Sequence, residues 1–584
     1  MRRSSFGLVV LGALAAAGSR GAAQQMGSVL WESEIASATG GFTGALDARD
    51  RFGQALAGLG DLDGDGVADL AVGVPDDDDG GDGRGALWVL FLAPDGTVRS
   101  HAKVSSTQGG FAGRLDGADR FGSAVARLGD LDRDGTLEVA VGAEQDDDGG
   151  TNRGAVWVLS LAPDGSVVRN TKISQTSGGF TGLLRNEDRF GHALTRLVDL
   201  DGDGVDELAV GALLDADGGA GRGAVWVLFL DASGAVKHHV KISSTSGGFT
   251  GALRDNDRFG SALAALGDLD DDGVPDLAVG AEFDNDGGSR SGATWILFLA
   301  RDGSVREQSK LSWASGLPLD DIDLFGASLA APGDIDGDGV PDLVVGAPQD
   351  DDGGTNRGAL WVLLLAPDAS LRGYLKISAL SGGLSGPLTN SDFFGTSLAA
   401  LGDVDGDRKL DLAAGAPGDD GGGLDRGALR LLFCESAVRA SVTVRNGRGI
   451  NPLVLTAEDA PAVGSTWEVQ ADCRGFRKGV LLHVVVDNRV EGPVLGRLGE
   501  RLVDWSRPWL LRALVRHGGD TTHILHRVPA HTALVGLAFG SQALLTGHGG
   551  ARLTNALDGE FLPPDAAPRA TNGSAHGGRS GRGR

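Results

Sequence analysis

The side chains best placed to do chemistry in this sequence are carboxylates at alternate positions. In "DLDGDGVAD", Asp61, Asp63, Asp65 and Asp69 stand at places one, three, five and nine of one short loop. The spacing recurs at Asp130, Asp132, Asp134 and Glu138, and again at Asp199, Asp201, Asp203 and Glu207. Three more copies follow: Asp268, Asp270, Asp272 and Asp276; Asp334, Asp336, Asp338 and Asp342; Asp403, Asp405, Asp407 and Asp411. Calcium takes six to eight hard oxygen ligands, commonly from Asp at alternate loop positions with a backbone carbonyl. Glycine at place six permits the sharp turn. An EF-hand is excluded, because place twelve of the first loop is Val72 and the flanks read as strands. A merely solvated acidic turn fits six copies in register poorly. Neighbouring carboxylates repel by about 1 kcal/mol per pair even in water. Calcium is therefore the expected cofactor. The sixth loop, "DVDGDRKLD", departs, with Arg408 in the glycine place and Lys409 after it. A left-handed non-glycine residue costs about 1 kcal/mol, and the added positive charge opposes a cation.

These loops belong to a repeat. Phe-Gly recurs with Phe at 52, 121, 190, 259, 325 and 394, so the spacings are 69, 69, 69, 66 and 69. In each unit a short small-residue strand precedes the acidic loop. A second strand ("DLAVGV") and a glycine-rich acidic loop come next, then a longer apolar strand ("ALWVLFLA"), a "PDG" turn and an alternating fourth strand. Four short antiparallel strands per unit, repeated, predict an all-β fold built radially as a β-propeller. Residues 28–53 read as a fourth strand with its following loop but no first three, and the sixth unit stops after its third strand. The N-terminal strand is expected to complete the sixth blade, which removes exposed sheet edges. Six blades are expected, with seven as the alternative.

Phe-Gly, the Asp loop, then "VGVP" (72–75), "VGAP" (345–348) or "AGAP" (414–417) resembles the FG-GAP repeat of integrin alpha-subunit propellers. The resemblance spans about 400 residues. It implies calcium in the loops joining strands one and two, and partners on the opposite face. That family usually has seven blades. The inserted adhesion-type domain with its own ligand-binding metal is absent, so integrin-like ligand binding does not carry over.

Other repeated features have plainer readings. A second acidic loop (Asp77/Asp79, Asp146/Asp148, Asp215/Asp217, Asp284/Asp286, Asp350/Asp352, with Asp419 in the sixth) is a second cation site or a hairpin whose acids pair with Arg84, Arg153, Arg222, Arg357 and Arg426. Trp88, Trp157, Trp226, Trp295 and Trp361 on strand three are expected to pack between blades, with Arg430 in the sixth place. The loop "SWASGLPLDDIDLFG" (312–326) is three residues shorter than its sisters, and Trp313, Leu317, Pro318 and Ile322 are expected on its surface. No unique, non-repeated polar cluster and no nucleophile motif stands out, so no enzyme activity is expected.

Charge divides the chain. Of 52 basic and 79 acidic residues, 18 and 12 lie after position 437, leaving a balance of -33 before it. So acidic a propeller repels phosphates and argues against nucleic acid. Residues 1–23 combine Arg2, Arg3 and an apolar run, and read as a secretory signal peptide, too short to span a bilayer. The expected organisation is signal peptide 1–23, propeller 28–437, a small β-sandwich-like domain 438–561 and a disordered basic tail 562–584. The 438–561 segment resembles a module at the C-terminus of various exported bacterial proteins. Cys434 and Cys473 either pair or stay as free thiols. His517, His523, His526 and His531 make a poor metal site, since residues three apart on a strand face opposite sides. The expected function is a secreted or cell-surface calcium-binding propeller for adhesion or recognition of an extracellular protein or glycan. The alternatives are a non-catalytic scaffold of a glycan- or lipid-acting enzyme, and a structural cell-envelope protein.

Overall fold

The computed structural model describes residues 26–407 and 409–436 with their side chains, and between 440 and 560 the backbone of paired strands. The signal-peptide segment, the C-terminal tail, Arg408, Cys473 and His531 lie outside the described residues, as do the side chains of His517, His523 and His526.

Six four-stranded antiparallel sheets follow one another, the first five with neighbouring strands in chain order. Blade one is Ala55–Gly60, Asp69–Val74, Ala86–Leu92 and Val98–Ser105. Strand three is buried along its whole length in every blade, save one half-buried residue in blade five, and so is apolar apart from Ser160, Thr294 and Arg430. Strand four is buried only at its ends, with exposed and half-buried residues between, as an outer strand should be. Blade six is Leu398–Gly402, Asp411–Ala416 and Ala428–Cys434, completed by the N-terminal Val29–Ala36. Val29 stands opposite Cys434 and Ala36 opposite Ala428. The ring thus closes at six blades by the expected route, and the seven-bladed alternative does not apply.

The core is not one mass but a layer at each blade interface. One layer joins Leu429, Leu431 and Phe433 of blade six to Leu70, Val72 and Trp88 of blade one. The others repeat the arrangement around the ring. Trp88 meets Phe42 edge-on, and Trp157, Trp226 and Trp295 meet Phe111, Phe180 and Phe249 likewise. The strand-three tryptophans are packing residues, as expected.

The two glycine motifs have one physical cause. A methyl group on Gly73 would run into the carbonyl oxygen of Gly122, the Phe-Gly glycine of the next blade. The same pairs form at Gly142 with Gly191, Gly211 with Gly260, Gly280 with Gly326 and Gly346 with Gly395, and Gly415 with Gly53 closes the ring. Neighbouring backbones touch there, and only glycine allows it.

Between 440 and 560 the backbone forms further antiparallel strands. Gly479–Val486 lies between Trp509–His517 and Ala538–Gly547, and Thr466–Asp472 pairs with Thr521–Arg527. One 3-10 turn, Trp313–Ser315, is the sole helical element among the described residues. Among these residues no helix is long and apolar enough to cross a membrane.

Candidate functional site: the acidic loops and the axial mouth

The acidic loops join strand one to strand two, at one end of the ring. The carboxylates at places one, three and nine converge there. One oxygen each from Asp61, Asp63 and Asp69 lies within 4.8 Å of the others. Asp130, Asp132 and Glu138 repeat this, as do Asp268, Asp270 and Asp276, and Asp334, Asp336 and Asp342. In the third loop Asp203 joins Asp199, Asp201 and Glu207.

Backbone amides aim these groups. Asp61 accepts from Gly64, Asp65 and Gly66 at 2.7, 2.9 and 2.8 Å, which winds the loop around it. Asp69, buried at the start of strand two, accepts from Leu62 at 2.9 Å and from Leu92 of strand three at 3.2 Å. The place-five acid turns the chain in all six loops: Asp65, Asp134, Asp203, Asp272, Asp338 and Asp407 each accept from the amide two residues on, at 2.8–3.0 Å. Burial, reinforced by the neighbouring acids, pushes Asp69 up to about 6, Glu207, Asp276 and Asp342 to about 7, and Asp411 to about 8.

The donor set fits a divalent cation. Asp63 Oδ1, Asp270 Oδ1 and Glu207 Oε1 are buried acceptors with no hydrogen-bond partner. Buried acceptors rarely lack a donor, and clustered carboxylate oxygens are what a hard cation seeks.

A basic residue on strand four also reaches these acids, and sequence reasoning missed it. Arg99 lies 2.7 Å from both Asp63 and Asp65. Arg306 lies 2.8 Å from Asp270 and 2.6 Å from Asp272. Lys237 pairs with Asp203, and Arg372 with Asp338. Blade two is offset by one: Val168 takes the place and is 60% exposed, while Arg169 contacts Asp132 at 2.7 Å. The signal was visible as a cation near the start of strand four.

The second acidic loops bind neither the expected arginines nor an unbalanced charge. Lys103 lies 2.7 Å from Asp77 and 2.8 Å from Asp79. Lys172, Lys241, Lys310 and Lys376 do the same in blades two to five. Each lysine stands directly across the ladder from the strand-three tryptophan, its ammonium 5.2–5.4 Å from the ring centroid. The ammonium balances the charge of the two carboxylates. Three of the arginines turn elsewhere: Arg153 to Asn186, Arg222 to Asp255 and Arg357 to Asn390.

Blade six reverses this pair. Arg430 replaces the tryptophan and Glu34 the lysine. Arg430 is buried and lies 3.2 Å from both Glu32 and Glu34, and donates to the Pro387 carbonyl at 2.7 Å. In the blade-six acidic loop, Lys409 turns to Glu435 at 3.0 Å, with Asp407 at 4.0 Å. Cys434 is buried with its thiol pushed far up by burial.

Two further expectations change. In the 312–326 loop Trp313 and Ile322 are exposed, but Leu317 is buried in the blade four–five core layer. Its apolar side chain serves packing and is not free for a partner. The propeller also does hold a non-repeated polar cluster, at the end opposite the acidic loops. Glu144 is buried, 2.6 Å from His192 Nδ1, 3.3 Å from Arg120 and 3.9 Å from Arg189. His192 foremost, then the arginines, hold its carboxyl down at about 2 against the cost of burial. Glu282 pairs with Arg258 at 2.9 Å. Glu144 and Glu282 stand where other blades have Pro75, Pro348 and Pro417. That break in the motif was the available signal.

Comparison with known proteins agrees with this architecture. The FG-GAP repeat model matches residues 52–90, 121–159, 190–228, 259–297, 325–363 and 394–432, one match per blade. The described propeller thus carries one FG-GAP repeat in each of its six blades. It is similar to the integrin alpha-subunit propellers: 39% identical to integrin alpha-IIb of Homo sapiens over 163 residues (27% of this chain, 14% of that one). It is 32% identical to integrin alpha-5 of Xenopus laevis over 236 residues (39% and 20%). Phosphatidylinositol-glycan-specific phospholipase D of Homo sapiens is 30% identical over 233 residues (39% and 26%). The aligned region spans only about a seventh to a quarter of the length of these relatives.

Proposed function

We propose that this chain is a secreted or cell-surface calcium-binding propeller that mediates adhesion or protein recognition and has no catalytic activity of its own. Calcium would be held by the acids at places one, three, five and nine of the six loops, Asp61 to Asp411, and would fix blade shape. The carrying observation is the repeated convergence of carboxylates, with unpartnered buried oxygens, in loops confined to one end of the ring. The other end is left free for an extracellular protein or glycan. Export rests on residues 1–23 as a signal peptide, with the propeller at 28–437, a small β-sandwich-like domain at 438–561 and a disordered basic tail at 562–584. A cell-surface and glycan binding screen of the full chain, with and without calcium, tests this. Calcium-dependent capture of a discrete partner is expected, and no capture in either condition would contradict it.

A second reading has its own observation. The phospholipase D relative shares the repeats, so the propeller could serve as the non-catalytic, substrate-binding part of a lipid- or glycan-acting assembly. Capture of a glycolipid in preference to proteins would favour it.

A further inference from the structure

The end of the axial channel opposite the acidic loops is a cavity of about 260 Å³ lined from all six blades. Its innermost ring is the residue after each Phe-Gly: Gln54, Ser123, His192, Ser261, Ala327 and Thr396. The rest of each unit is nearly copied, yet this ring differs from blade to blade. Arg189 and Arg258 also line the cavity, with Glu282 as the one acid among the lining residues. Arg258 is neutralised by Glu282 at 2.9 Å. Arg189 is not matched in this way. Its closest acid is Glu144 at 3.9 Å, already shared with His192 and Arg120. Its Nε is buried without a hydrogen-bond partner. The site therefore has a cation in excess, within a propeller whose overall charge is strongly negative.

We propose that this mouth binds a carboxylate, with Arg189 as its charge partner and the Ser123 hydroxyl, which accepts from the Glu144 amide at 3.3 Å, offering its proton as a further hydrogen bond. A planar guanidinium with free N–H groups matches a carboxylate in geometry as well as charge. The carboxylate comes either from a free organic acid or from an acidic side chain of a partner. The biological use rests on the recognition reading above; the binding itself does not.

The repeat supplies substitutions that the fold already tolerates. Arg189→Leu copies Leu324 of blade five, and His192→Ser copies Ser123 and Ser261. Arg127→Ala, at the other end of the channel, copies Ala265 and Ala331 and serves as the control. The calcium-loaded full chain is titrated calorimetrically with succinate, with neutral succinamide, and with a capped tripeptide carrying one Glu. Saturable 1:1 binding of a carboxylate is expected, absent for succinamide, weakened at least tenfold by Arg189→Leu and unchanged by Arg127→Ala. Tighter binding of the peptide identifies a partner's side chain as the source, and tighter binding of succinate a free acid. Binding of neither, or equal binding by an Arg189→Leu variant that melts like the parent, overturns the proposal. A chain that binds succinate but captures no partner would fail the recognition reading and keep this one.

Discussion

Blades one to five and blade six solve the same problem with opposite charges. In the regular blades a strand-four lysine crosses to a strand-three tryptophan and neutralises two loop acids. In blade six an arginine sits on strand three and the acids sit on strand four. The difference follows from where strand four comes from. In five blades it is the next segment of chain, whereas in blade six it is the far N-terminus. A strand with no local tether needs its partner specified. Docked on a regular blade, Glu34 would face tryptophan beside two aspartates. Docked on blade six it meets Arg430. The reversal directs the two ends of the propeller to each other and fixes their register.

This comparison can be broken most severely by deleting Val29–Ala36. That removes a whole strand, the Trp31–Phe433 stack and both glutamates, so the chain should lose its cooperative unfolding transition by circular dichroism. Next, Glu32→Ala leaves Arg430 buried without its buried partner and should cost about 3–5 kcal/mol by urea denaturation. Arg430→Trp alone should be comparably harmful, and adding Glu34→Lys should recover part of the loss by rebuilding the regular pair. In a regular blade, Lys103→Met leaves Asp77 buried without its cation and should cost about 1–3 kcal/mol. A Lys103 loss equal to that of Glu32 would contradict the special role given to the closure.

The smallest expected effect is a pH slope. Asp119, buried and capping the Asp116 amide at 2.7 Å, is pushed up to about 7 by burial. Its folded form therefore holds its proton more tightly than the unfolded chain does. The folded state gains stability as pH falls from about 7 toward 4, and loses it as pH rises through about 7. Asp119→Asn should flatten the corresponding part of the stability–pH curve measured by thermal melts.

Much of this fold was legible because repetition multiplies weak signals. One Asp-x-Asp-x-Asp stretch is ambiguous, but six in register with Phe-Gly define the blades, and the orphan strand at 28–53 foretold closure. The glycine pairs such as Gly73 with Gly122 were visible as motifs, although their cause, backbone touching backbone between blades, was not. Long side chains were harder to place. The lysine at 103 and its equivalents pair with loop acids more than twenty residues away in sequence, so nearby arginines were the natural but wrong choice. The mouth cluster was missed for a related reason. Its members, Glu144, His192 and Arg189, come from blades two and three and meet only through the ring.

The central claim, that the acidic loops are calcium clips, is tested most directly by equilibrium unfolding of the full chain across a calcium titration. At ten times the dissociation constant each occupied site adds about 1.4 kcal/mol. The five regular loops together should therefore stabilise the chain by about 7 kcal/mol, an effect abolished by chelation. Asp63→Asn should remove one site's share, and Asp405→Asn in the sixth loop less. An unfolding midpoint that does not move between excess chelator and saturating calcium would contradict the account.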